Sequence, residues 1–274
     1  MQKRFDANSQ QKQTSVCMSI GPRVLDLHFR RDLPKGLCAL AVMTKVPRAG
    51  EVKTRLIPPL TPDEAALLNR SFLSDTFTAI TNATCDGLTR GVAVFTPIGA
   101  EQEIEAILPK EFELLPQRGD AFGERLIFAV QDLFSFGFES VCLIDSDSPT
   151  VPVDFFSEAA AILSKEPNVV VLGPSEDGGY YLIGSRVLHR ELFQGIDWST
   201  DRVLEQTIER ARELALEVRF LPEWYDIDDR IALRRLCSEL FGPRDGNGHA
   251  YPAPVTKACL EKLLQGAGRE RILA

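Results

Sequence analysis

Short apolar runs without a polar residue constrain this chain more than any other feature. Residues 37–43, 141–144 and 169–172 are continuously apolar. A run of that length with no alternation suits a strand buried on both faces, as in a parallel sheet. Between the runs the apolar residues change to helical spacing. Ala66, Leu73, Phe77 and Ile80 form one such set, Leu126, Ala129, Val130, Leu133 and Phe134 a second, and Val203, Leu204, Ile208 and Ala211 a third. Further strands are expected at 91–95, 112–115, 180–184 and 216–220, and further helices at about 100–108, at 152–164 and up to Leu240. Thr61-Pro62-Asp63-Glu64 has the residues of a capping box with proline at the first helical position, so a helix should start there. Strands alternating with amphipathic helices predict a three-layer α/β domain around a mostly parallel sheet.

Composition narrows the function. The chain has 274 residues, 44% hydrophobic and 26% charged, ample for a sizeable core. A net charge of −8 with a pI near 5.1 argues against a general nucleic-acid footprint. An anionic substrate would then need locally placed cations. No run approaches the roughly 18 apolar residues of a membrane span, and the polar N-terminus has no apolar core of a secretory signal, so a cytoplasmic protein is expected. Cys17, Cys38, Cys85, Cys142, Cys237 and Cys259 are scattered, as are His28, His189 and His249. Neither a disulfide framework nor a zinc or histidine-rich site is expected. Residues 1–34 read as an extension of uncertain order with one apolar patch at 24–27, residues 35–241 as the domain, and 242–274 as a linker with one tail helix.

The chemistry concentrates after the strands. Strand 141–144 runs straight into Asp145 and Asp147, which share a face if the strand persists and are spaced to hold a divalent cation. Otherwise they cap the next turn. After the first strand come Lys45, Arg48, Lys53 and Arg55, with Gly50 allowing a tight path. Such a loop either cradles phosphates or is a solvated basic surface; it is not a Walker A motif. Glu176-Asp177-Gly178-Gly179 is a second acidic loop, in which Asp177 is a metal ligand, a sugar-hydroxyl acceptor, a general base or a plain turn residue. Of Asp226, Asp228 and Asp229, Asp228 is expected to cap the following helix. Trp198-Ser199-Thr200 reads most simply as a buried tryptophan before an N-cap.

Together the motifs resemble a bacterial family. Residues 45–56, Lys-Val-Pro-Arg-Ala-Gly-Glu-Val-Lys-Thr-Arg-Leu, resemble the first-loop signature of the DUF2064 glycosyltransferase-like proteins. Gly119-Asp120-Ala121-Phe122-Gly123-Glu124-Arg125, Asp147-Ser148-Pro149, Glu176-Asp177-Gly178-Gly179-Tyr180 and Trp198-Ser199-Thr200 follow in that family's order, and the likeness spans about residues 37–236. That family is similar to nucleotide-diphospho-sugar transferases of GT-A type and to guanylyltransferases. The resemblance implies a Rossmann-like GT-A sheet, a nucleotide over the first loop, and Mg²⁺ or Mn²⁺ held by an Asp-x-Asp-like turn. The position of Asp145 is usually small or glycine in relatives, so Asp147 inherits the metal role and Asp145 has it only by spacing.

The expected site follows. Lys45, Gly50, Lys53, Thr54, Arg55, Gly119, Asp120 and Arg125 bind the nucleotide, with Lys53 and Arg55 neutralising charge on its phosphates during transfer. Asp147, with Asp145 or Asp226, holds the metal, and Asp177 orients or deprotonates the acceptor, alongside Gly178, Gly179 and Trp198. Glycosyl transfer from a nucleotide-diphospho-sugar is the first reading. Nucleotidyl transfer from a triphosphate is the second, and a non-catalytic nucleotide-binding regulator the third.

Overall fold

A computed structural model describes residues 23–28, 30–83, 87–242 and 250–273. Most of the expected N-terminal extension, and the linker at 243–249, lie outside these residues. The elements run β1 (Cys38–Lys45), α1 (Pro62–Ala83), β2 (Thr89–Thr96), α2 (Glu101–Glu105), β3 (Glu113–Pro116), α3 (Phe122–Phe136), β4 (Ser140–Ile144) and α4 (Val153–Lys165). They continue with β5 (Val169–Pro174), β6 (Tyr180–Ser185), α5 (Val203–Glu213), β7 (Glu217–Phe220), α6 (Arg230–Phe241), α7 (Pro254–Leu263) and α8 (Ala267–Leu273).

One seven-stranded sheet has the order β3-β2-β1-β4-β6-β5-β7. All neighbours are parallel except β6, which is antiparallel to β4 and β5. The expected mostly parallel α/β sheet is therefore present, with one reversed strand. Period-two side chains sort the core: Cys38, Leu40 and Val42 of β1 join one cluster with Leu73 and Phe77 of α1 and Phe156 of α4. Ala39 and Ala41 join another with Leu126, Val130 and Leu133 of α3 and Ala211 of α5. Burial on both faces is why these strands lack alternation.

The capping box forms as the residues predict. Glu64 Oε2 accepts from Thr61 N at 2.8 Å, and Thr61 Oγ1 accepts from Glu64 N at 3.3 Å. The apolar patch at 24–27 docks beside β3, with Leu25 N donating to the Leu114 carbonyl at 2.8 Å. The tail differs from expectation: it carries two helices. α7 and α8 complete a third apolar cluster with α1 and α6, through Leu68, Phe72, Leu236, Leu260 and Ile272. Arg271 of α8 forks onto both oxygens of Glu64 at 2.7 Å.

The strand order turns at β1, whose partners are β2 on one side and β4 on the other. A crevice opens outside the carboxyl ends at such a switch point. The basic loop leaves β1 there and Asp145–Asp147 leaves β4 there.

Candidate active site

Two clefts meet at this crevice. The first, about 370 Å³, is lined by Lys45, Lys53, Thr54 and Arg55 of the first loop, Arg125 of α3, Gln117 and Asn69. The second, about 200 Å³, is lined by Ser175, Asp177, Gly179, Tyr180, Tyr181, Trp198 and Asp226. Met43, Phe122, Asp145 and Asp147 line both and form the shared wall.

β4 stops at Ile144, so Asp145 and Asp147 lie on a loop rather than on one face of a continuing strand. Asp145 N donates to the Tyr181 carbonyl at 2.9 Å, and the Asp145 carboxylate accepts from Ser148 Oγ at 2.7 Å. Burial, followed by the nearby charge of Asp147, pushes the Asp145 carboxyl well above the usual carboxylate range.

Lys53 departs from its expected role. Its backbone is left-handed (φ 48°, ψ 38°), uncommon for a residue with a Cβ. That twist turns the side chain inward, where only 3% of it is exposed. The ammonium donates to Asp147 Oδ1 at 2.8 Å, Asp228 Oδ1 at 3.0 Å and the Ile227 carbonyl at 2.8 Å. Burial alone would lower its pKa, but Asp147 and Asp228 outweigh that and raise it. Three protons meet three acceptors, so none is left for a phosphate.

Asp228 is correspondingly not the helix cap. Asp229 caps α6, accepting from Ala232 N at 2.8 Å, while Asp228 pairs with Lys53 and, at 3.3 Å, with Arg55. The expected cap, Asp228, is thus displaced by its neighbour in sequence. Arg48 leaves the cleft to pair with Glu103 at 2.6 Å.

The other expected residues divide. Lys45, Thr54, Arg55 and Arg125 face the first cleft. Gly50 (φ 79°) and Gly119 (φ 100°) shape turns without lining it, and Asp120 is exposed outside it. Asp177, Gly179 and Trp198 face the second cleft. Gly178 (φ 86°) lies outside that lining and is needed for packing, because a Cβ there would run into the Asp201 carbonyl. Asp177 is at once a turn residue and a cleft residue: its Oδ1 accepts from Gly179 N at 2.9 Å within the β5–β6 hairpin. Trp198 does not precede an N-cap, since α5 starts only at Val203. Its ring packs edge-on to Phe122 at 5.1 Å and lies close over Gly123, where a Cβ would be 2.8 Å from Nε1.

The expected metal set of Asp147, Asp145 and Asp226 fails to assemble. No three carboxylate, imidazole or thiol groups among the described residues converge on one point. Lys53 instead fills the space between Asp147 and Asp228. As placed, these side chains do not fit a protein-held divalent ion. Asp226 faces the second cleft, accepting from Ser175 Oγ at 3.3 Å. Burial, then the charges of Asp177 and Asp228, push its pKa up to about 6.

Several cleft residues were not singled out from the sequence. Asn69 interrupts the apolar stripe of Ala65, Leu68 and Phe72 on α1, a signal that was available; it is buried and its Oδ1 has no partner among the described residues. Gln117 follows β3, and its Nε2 donates to the Thr44 and Val94 carbonyls at 3.0 and 2.8 Å. Its amide oxygen is therefore the side left to accept from a ligand. Phe122 sits in the Gly-Asp-x-x-Gly-Glu-Arg motif, yet nothing local marks it as cleft wall.

The chain resembles several solved structures. A structure from Desulfovibrio desulfuricans G20, provisionally named a nucleotide-diphospho-sugar transferase, superposes with TM-score 0.70 and 29% identity over 82% of this chain and 94% of its own. A cytidylyltransferase from Leptospira borgpetersenii serovar Hardjo-bovis (strain JB197) overlaps at 0.48 with 10% identity, covering 86% and 96%. Rv0371c of Mycobacterium tuberculosis H37Rv overlaps at 0.46 with 15% identity, covering 73% and 97%. No curated protein matches the chain. The fold is the Rossmann-like one of nucleotide-diphospho-sugar transferases. Residues 79–200 match the model of the family read from the motifs, DUF2064, described as an uncharacterized protein conserved in bacteria.

Proposed function

We propose that the protein is a transferase that holds a nucleotide-diphospho-sugar in the first cleft and passes the sugar to a hydroxyl of an uncharged acceptor in the second. The carrying observation is that, of two clefts sharing an acidic wall, only the first also carries cations. Lys45, Arg55 and Arg125 supply cations in the first that are not buried in carboxylates on every side. In the second, Asp145, Asp147, Asp177 and Asp226 stand with four aromatic rings, Phe122, Tyr180, Tyr181 and Trp198, and no Lys, Arg or His among the described residues. Carboxylates and aromatic faces suit hydroxyl-rich ligands and repel a phosphate. The name of the Desulfovibrio structure supports the same donor class.

In this reading Lys45, Arg55 and Arg125 hold the diphosphate and offset the charge that grows on it as it leaves. The acceptor oxygen attacks the anomeric carbon, the bond to the diphosphate breaks, and the acceptor proton passes to Asp226. With a pKa near 6, Asp226 suits a general base at neutral pH better than an ordinary carboxylate does. Asp177, beside it in the cleft, orients the hydroxyl.

Nucleotidyl transfer is the second reading, favoured by the cationic first cleft, which would also take a triphosphate. A phosphate acceptor would then face four carboxylates, which weighs against it.

Thermal shifts with nucleotides, triphosphates and nucleotide-sugars, each with and without Mn²⁺, test the reading, because a bound ligand stabilises by mass action. Nucleotide-sugars should give the largest shifts, and turnover should release nucleoside diphosphate rather than pyrophosphate. No shift with any nucleotide would overturn it. Binding without product would leave the regulator.

A further inference from the structure

We propose that Lys53 is the resident cation of this site, standing where a divalent metal would have to sit, so that the free protein holds no metal between Asp147 and Asp228. Its three ammonium protons are matched by three acceptors within 3.0 Å from two separate loops. Those loops are also joined directly, Ile227 N donating to the Asp147 carbonyl at 3.0 Å. The exposed Arg55 lies 3.3 Å from the second oxygen of Asp228, so that carboxylate faces a buried cation on one side and a surface cation on the other. Beneath the ammonium lies the Phe72 ring, its centroid 5.6 Å away, which closes the apolar side of the cage.

A divalent ion entering here would compete with Lys53 for Asp147 Oδ1 and would meet its positive charge at short range, with little water between to screen it. The left-handed backbone at Lys53 commits the side chain to this position and leaves its neighbours Thr54 and Arg55 on the cleft surface. Lys53 is thus a positioning residue. It sets the wall shared by the two clefts rather than touching the donor.

The inference does not depend on the reaction, because its test uses no nucleotide. Mn²⁺ is titrated into the full-length, chelator-treated protein and free Mn²⁺ is followed by electron paramagnetic resonance. The wild-type protein should leave Mn²⁺ free up to millimolar concentration. Lys53→Ala, which removes the ammonium and keeps both carboxylates, should bind Mn²⁺ at least about tenfold more tightly. Asp147→Ala added to that variant should abolish the gain. Micromolar Mn²⁺ binding by the wild-type protein that is lost in Asp147→Ala would overturn the proposal, as would a folded Lys53→Ala variant with no gain. Should Lys53→Ala unfold in chelator, Mn²⁺ should restore its circular dichroism, and failure to restore it would count against the proposal equally.

Discussion

Replacing Asp75 by alanine should loosen the C-terminal helices from the rest of the protein. Asp75 lies on α1 and is 0% exposed. Its carboxylate accepts from Val255 N at 3.1 Å and from Thr256 N at 2.6 Å, the second and third residues of α7. It therefore caps a helix whose second residue lies 180 positions further along the chain, and whose own N-cap, Ala253, has no side-chain acceptor. Alanine leaves two backbone N–H groups without a partner inside the protein. At about 1–3 kcal/mol for each buried donor left unsatisfied, the cost is about 2–4 kcal/mol after some relaxation. Asp75→Asn keeps one acceptor oxygen and should lose roughly half as much. Urea unfolding gives the free energy, and native-state hydrogen exchange should show lost protection at Val255 and Thr256. Burial raises the Asp75 pKa, so ionising it disfavours the native state as pH climbs past the unfolded value. The deficit of Asp75→Asn should accordingly shrink with rising pH. An alanine variant within about 0.5 kcal/mol of wild type, or with α7 amides equally protected, would refute the capping argument.

Arg271→Ala should cost stability at neutral pH and little near pH 2.5. The Arg271 guanidinium holds the Glu64 pKa down to about 2, so that pair stabilises above the ordinary 4.5 and its contribution is lost as pH falls toward 2. A pH-independent difference in melting temperature would contradict this. Asp226→Asn should act in the opposite sense: with the native pKa raised to about 6, the ionised carboxylate costs stability increasingly as pH rises from about 4 to 6. The variant should melt higher than wild type at pH 7.5, match it near pH 4, and lose turnover; equal turnover would remove Asp226 as the base. Gly123→Ala places a Cβ 2.6 Å from the Phe193 carbonyl and 2.8 Å from Trp198 Nε1. It should displace Trp198 and raise the acceptor KM while the donor Kd stays unchanged. Arg55→Ala should weaken donor binding by about tenfold, the worth of one charge-assisted hydrogen bond, and unchanged affinity would take Arg55 off the phosphates.

Much of this was legible along the chain. Apolar runs at 37–43, 141–144 and 169–172 located buried strands because a strand covered on both faces has no polar side. Thr61 to Glu64 announced a helix start because capping is a contact over three residues. Arg55 and Asp177 were placed near a cleft because ligands gather where strands end, and Arg125 and Trp198 by the family resemblance.

What failed was everything settled by partners distant in sequence. Lys53 looked like a phosphate ligand until residues 174 and 175 positions away supplied its acceptors. Asp228 looked like a cap, and the cap fell to its neighbour. Local periodicity along the chain is enough to specify the α/β architecture and the strand ends at which a site forms. Which charges cancel one another and which remain for a ligand is visible only in the folded molecule, because charge pairing depends on distances that the fold sets.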